Sequence, residues 1–244
     1  MFFVNPAYAE RVQQAIATLS EAFGYTFAGD MMLTFHRNMG FYEDARFMKA
    51  FNEEAADERE KSLVWRLHVL CWFARQALRV EGDFVECGVF RGFSTIVAAR
   101  MLDFARSGRQ WFLYDTFTGV PADQLNPGGE GSPELFAAPG LYEACLKRFA
   151  PYQNIHVVRG RIPEVLAERA PERVAFLHLD LNSAAAESAA FEFLRERFAP
   201  GAVVLLDDYG WRGFRPQKLV ADEFFGSMDR PILELPTGQG VVIV

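Results

Sequence analysis

Apolar residues recur at helical spacing from Ala7 to Phe23, through Val12, Ile16, Leu19 and Phe23, and Gly24 follows as a C-cap. The pattern predicts a first helix there. A second helical stretch, Tyr42 to Asn52, runs into the charged block Glu53 to Lys61, which reads as a solvated turn and helix start. Leu63, Val64, Leu67, Leu70, Cys71, Ala74, Ala77 and Leu78 then mark an amphipathic helix ending before Glu81 and Gly82. The N-terminal third thus reads as all helix, with residues 1–82 forming a helical cover.

After Gly82 the pattern changes to short apolar runs alternating with helical segments, the mark of βαβ units. Strands are expected at Phe84 to Cys87, Gln110 to Tyr114, Ile155 to Arg159, Val174 to Asp180 and Ala202 to Asp207. Helices are expected near Ser94 to Ser107, Leu141 to Phe149, Pro163 to Arg169, Glu187 to Phe198 and Pro216 to Phe225. The C-terminal run from Pro231 to Val244 holds two apolar stretches around a Thr-Gly-Gln-Gly turn and reads as an antiparallel hairpin on the sheet edge. Residues 83–244 are therefore expected to form one α/β domain with a doubly wound, mostly parallel, Rossmann-like sheet. Gly119 to Gly140 is long and rich in Pro and Gly, which suits either a functional lid or a surface insertion.

Composition narrows the class. With 244 residues, half of them hydrophobic, the chain suits one catalytic domain with an appendage. Its 24 phenylalanines are explained mostly by core packing. A net charge of -7 gives no electrostatic reason to expect a nucleic-acid partner. Cys71, Cys87 and Cys145 are isolated and suit a reducing compartment. Neither a signal peptide nor a membrane span is legible, so a cytoplasmic protein is expected.

The chemistry lies at the strand ends. In Asp83 to Thr95 a strand runs into a glycine-bearing turn and then a helix. Gly88 and Gly92 would let a ligand approach the backbone, and Ser94 or Thr95 stands where free N–H groups favour a carboxylate. The dinucleotide fingerprint GxGxxG is absent, while Glu86 places an anion that would repel a pyrophosphate and attract an ammonium. That sign favours S-adenosylmethionine (SAM) over a dinucleotide. Asp115 ends the next strand, where a carboxylate can accept from ribose hydroxyls; the plainer alternative is a turn cap with Thr116. If the fourth and fifth strands are neighbours, Asp180, Asp207 and Asp208 meet at the carboxyl edge, and Mg²⁺ would relieve their repulsion. The alternative is that they cap helices or face solvent. His178 shares a strand face with Asp180, as a buried, hydrogen-bonded histidine or a base.

Together the segments Phe84 to Thr95, Tyr114 to Pro121, Gly160 to Glu164, Phe176 to Ser183 and Leu205 to Trp211 resemble the macrocin O-methyltransferase family, which methylates sugar hydroxyls in antibiotic biosynthesis. The resemblance implies a class I methyltransferase fold using SAM and Mg²⁺. It implies that Glu86, Gly88 and Gly92 hold the methionine end, with Phe90, Arg91 and Ser94 in the same turn. Asp115, flanked by Thr116 and Phe117, would hold the ribose, and Gly160, Arg161 and Ile162 the adenine. Asp180, Asp207 and Asp208 fall on metal-binding positions, Asp180 also bordering the cofactor. The family's fourth-strand motif DGDLYEST places its second Asp to take the substrate proton. Here Asn182 stands in that position and cannot act as a base, which leaves Asp208 and His178 as the other catalytic candidates.

The expected function is thus Mg²⁺-assisted O-methylation of a sugar or other polyol of a small molecule or glycan, by a homo-oligomer without nucleic-acid or membrane partners. The alternatives are a catechol-like acceptor, a SAM-binding protein that has lost transfer, or a nucleotide-dependent oxidoreductase.

Overall fold

The computed structural model describes residues 5–127 and 136–244. Residues 128–135, within the stretch read as a lid or insertion, lie outside the described residues. The chain divides into two compact units, residues 1–69 and 70–244, so the division falls ahead of Gly82, where the sequence pattern changes.

In the first unit, helix α1 (Ala9–Phe23) ends as expected at Gly24, whose φ is +74° and whose N–H bonds back to the Ser20 carbonyl. The expectation of an all-helical N-terminal third is corrected. Strands β1 (Thr26–Gly29) and β2 (Met32–Phe35) form an antiparallel hairpin. Asp30 and Met31 turn it, both at positive φ (49° and 58°), the backbone a two-residue primed turn demands. An Asp-Met pair lacks the glycine that normally announces such a turn. The buried ion pair between Arg66 Nε and Asp30 Oδ2, at 2.9 Å, holds the turn in its place. Helices α2 (Ala45–Glu54) and α3 (Glu58–Ser62) start at Asp44 and Asp57, whose carboxylates accept the first backbone N–H groups. Helix α4 (Val64–Ala77) contributes residues to both units.

The second unit is built on a seven-stranded sheet in the order β5-β4-β3-β6-β7-β9-β8. Its strands are β3 (Asp83–Cys87), β4 (Trp111–Asp115), β5 (Ile155–Arg159), β6 (Val174–Leu179), β7 (Phe198–Leu206), β8 (Leu233–Glu234) and β9 (Gly240–Ile243). The first five run parallel, β9 is antiparallel to β7, and β8 pairs with β9 as the terminal hairpin. Helices α5 (Phe93–Leu102), α6 (Leu141–Phe149), α7 (Glu164–Arg169), α8 (Ala184–Leu194) and α9 (Arg215–Ser227) complete the unit. The sheet order reverses between β3 and β6, and a doubly wound sheet opens its ligand crevice at such a switch point.

Every residue of β6 is buried, as a central parallel strand requires, and His178 is the strand's one polar side chain. Phe84, Phe104, Trp111 and Phe176 form one aromatic cluster, and Phe191, Phe224 and Phe225 another between α8 and α9. Rings that bury this much area account for the abundance of phenylalanine through packing.

Candidate active site

The ends of β3, β4, β6 and β7 lie on one edge, and the predicted residues gather there. Gly88 takes φ +88°, and a Cβ on it would stand 1.9 Å from the carbonyl oxygen of Asp180. Gly92 takes φ +70° at the N-cap of α5, where a Cβ would meet the Phe149 ring at 2.6 Å. Both glycines are therefore required by the chain's own packing, before any ligand is considered. Ser94 lies in the first turn of α5. Phe90, at φ +49°, has the Arg91 guanidinium 5.1 Å from its ring centre and packs edge-on against Phe136.

Asp115 organises the same turn from β4. Its Oδ2 accepts the backbone N–H groups of Val89 (2.7 Å) and Phe90 (2.8 Å), and its Oδ1 accepts that of Phe117 (2.6 Å). Each carboxylate oxygen offers about two acceptor positions, so three of four are taken and one, on Oδ1, remains for a further donor. Thr116 caps the next turn by donating to the Gly119 carbonyl, and Phe117 is buried at φ +57°. The carboxylate thus acts as a turn cap while keeping room for one ligand hydrogen bond.

Glu86, at the end of β3, makes its contacts within the sheet and with α5. Its carboxylate accepts from Thr95 Oγ1 and faces His178 Nδ1 at 2.8 Å, with both Glu86 and His178 only 1% exposed. It is a buried group. Burial opposes a charge on His178, but the pull of Asp207 and Glu86 outweighs it and raises the pKa to about 10. The His178 Nε2 points at Asp207 Oδ1 from 3.6 Å, an ion-pair distance.

On β5 and the turn after it, the Gly160 N–H bonds to the Asp115 carbonyl, so the expected adenine turn abuts the expected ribose position. Arg161 makes a two-pronged contact with exposed Asp123 (3.0 and 2.6 Å), and the buried Ile162 gives its carbonyl to Gln124 Nε2.

Asp180, Asp207 and Asp208 stand at the ends of β6 and β7, which are neighbours as the sequence reading required. Their side chains do not close into a cage: among the described residues no three His, Cys, Asp or Glu side chains are placed to hold a metal ion. Asp180 Oδ1 accepts from Asn182 Nδ2 at 3.2 Å, and Asp207 Oδ1 from Gln239 Nε2 at 3.1 Å. Carboxylate oxygens are the donor type a hard cation takes, and Asp180, Asp207 and Asp208 supply that type at this edge. Burial, followed by the charges of Asp208, Asp180 and Asp207, pushes Glu187 well above the usual carboxylate range. Asn182, 8% exposed at φ +54°, sits among them with an amide where the resemblance leads one to look for a base.

Sequence reasoning missed Glu187, Asn126 and Gln217. Glu187 and Gln217 pack beside Asp207, Asp208 and Tyr209, and Asn126 Nδ2 donates to Gln217 Oε1 at 2.8 Å. No short motif carries them; only the fold brings them together.

Other proteins share this fold. The O-methyltransferase NovP superposes with a TM-score of 0.64 at 18% identity, covering 96% of this chain and 98% of its own. CalS11, the calicheamicin methyltransferase, gives 0.64 at 20% identity over 99% and 94%, and its apo form is described as a TDP-rhamnose 3'-O-methyltransferase. An O-methyltransferase from Bacillus cereus in complex with SAH gives 0.52 at 14% over 82% and 91%. No curated protein sequence is detectably similar to the chain. The sheet order and terminal hairpin are those of the class I methyltransferase fold. The sequence pattern described as Macrocin-O-methyltransferase (TylF) matches residues 71–224, and the chain belongs to that family.

Proposed function

We propose that the chain transfers the SAM methyl group to a hydroxyl of a sugar or related polyol. The observation that carries this reading is the edge shared by β6 and β7, where Asp180, Asn182, Asp207 and Asp208 stand beside the glycine turn of β3. Family membership and the sugar substrate named for CalS11 support it. In this reading Asp115 offers its remaining acceptor position to the ribose, and the turn it holds between Val89 and Phe90 shapes the methionine end. Asn182 orients the acceptor or a water by hydrogen bonding.

Asp180, Asp207 and Asp208 would hold a divalent cation such as Mg²⁺. When bound, such an ion lowers the pKa of a hydroxyl and orients neighbouring oxygens. Where Asp208 is not engaged with the cation, its carboxylate offers an acceptor position for the departing proton.

The test is transfer of a labelled methyl group from SAM to TDP-rhamnose and a panel of free sugars, with Mg²⁺ or with excess chelator. Labelled sugar that disappears in chelator is expected. Full turnover in chelator removes the metal from the account, and no labelled sugar under either condition removes the sugar.

A further inference from the structure

Gln239 in the terminal hairpin is 0% exposed, and its Nε2 donates to Asp207 Oδ1 at 3.1 Å. The other end of the amide accepts from the buried Thr237 hydroxyl at 2.9 Å. Which end meets which follows from Asp207. A carboxylate only accepts, so the Gln239 atom facing it is the nitrogen, and the oxygen is left for Thr237 Oγ1, which donates. His178 Nε2 faces the same Asp207 oxygen at 3.6 Å. Since β7 lies between β6 and β9, Oδ1 is approached from β6 on one side and from the start of β9 on the other.

The hairpin has no slack in presenting this amide. The last register pair of β7 and β9 is Leu206 with Gly240, which brings Gln239 level with Asp207. Glycines stand on both sides of it for steric reasons. A Cβ on Gly238, at φ +80°, would lie 2.4 Å from Trp211 Nε1, and one on Gly240 would lie 2.6 Å from the Tyr209 ring. The Gly210 N–H also bonds to the Gly238 carbonyl at 2.8 Å. The turn therefore lies flush on the segment that follows Asp207, and the amide cannot drift from its carboxylate. For stability alone an apolar pair of the same shape would serve about as well. What the buried donor adds is orientation: with Oδ1 fixed, the Asp207 side chain, 13% exposed against 2% for His178, keeps one rotamer at the strand edge.

We propose that Gln239 is a positioning residue that holds the Asp207 carboxylate ready to ligate a divalent cation. The inference rests on the reading that Asp207 shares in holding such an ion, and it names the group that orients the ligand from within the fold. A partner that orients a metal ligand in this way typically contributes about 10- to 100-fold to affinity.

The experiment titrates the full-length chain with Mn²⁺, following the free ion by electron paramagnetic resonance, and measures the Kd for SAM by calorimetry. Gln239→Met fills similar space without a donor. Thr237→Val keeps the shape but removes the hydroxyl that orients the amide, and Thr237→Ser returns the hydroxyl. Gln239→Met is expected to raise the Kd for Mn²⁺ about tenfold or more, with Thr237→Val moving in the same direction and Thr237→Ser lying nearer to wild type. The Kd for SAM should stay within about twofold. Where Gln239→Met yields no soluble chain, Thr237→Val decides by the same criterion. Unchanged Mn²⁺ affinity in the variants, with wild type binding the ion, overturns the proposal and leaves the cation reading intact. A joint loss of SAM and Mn²⁺ binding assigns Gln239 to packing and overturns it as well. Wild type that binds no Mn²⁺ overturns the cation reading and this proposal together.

Discussion

Glu86 on β3 and His178 on β6 stand opposite each other in register, with Oε1 and Nδ1 2.8 Å apart and both side chains sealed from solvent. Such a pair adds little net stability when intact, because desolvation offsets the attraction, but breaking it strands a buried charge. His178→Ala is expected to lower stability by about 3–5 kcal/mol in urea titration. A loss under about 1 kcal/mol contradicts a buried ion pair here.

Asp115 is expected to act on SAM through the backbone. Asp115→Asn keeps the size but turns an amide N–H₂ towards backbone donors on one side. Charge-assisted hydrogen bonds of this kind contribute about 1.5–3 kcal/mol each. Both Asp115→Asn and Asp115→Ala should lower the melting temperature without ligand and shrink the rise that SAM produces. If the ligand-free melting temperature is unchanged while the SAM shift vanishes, the carboxylate serves the ribose alone.

Two glycines separate backbone strain from collision. Gly108, at φ +71°, has nothing within 4 Å of the place a Cβ would take, so Gly108→Ala should cost about 1–2 kcal/mol from the left-handed backbone alone. Gly88→Ala adds a collision with the Asp180 carbonyl and should exceed about 4 kcal/mol or prevent soluble folding. Comparable unfolding midpoints for the two variants contradict the close approach of β3 to β6.

All three cysteines are buried, and burial, helped by the charges of Glu86 and Asp115, pushes the Cys145 thiol up to about 12. At pH 8 almost no thiolate exists at that position. Iodoacetamide should leave Cys145 unmodified in the native chain and modify it in urea, as intact mass shows. Rapid native alkylation at Cys145 contradicts its burial.

The legible part of the molecule was the part with strong periodicity. The runs at Val174 and Ala202 announced buried parallel strands because both faces of such a strand must be apolar, and Gly24 announced a helix end because a left-handed cap suits glycine. The hairpin of Thr26 to Phe35 escaped because Asp30 and Met31 hold positive φ without glycine, with Asp30 held by Arg66 far along the chain. At the site, Asp115 and the strand-end aspartates were visible as carboxylates at strand ends. What the sequence could not show is that Glu86 turns inward to His178, or that Asn126 and Gln217 meet, since such pairings depend on long-range packing.

Strand β9 lies between β7 and β8, and β8 precedes it in the chain, so β7 has no partner on its outer side until residues 240–243 exist. During synthesis the five parallel strands emerge first and carry an open, apolar border in the meantime. An exposed strand border can recruit a neighbouring chain. Pairing of β9 with β7 therefore closes a border that would otherwise be open to another chain.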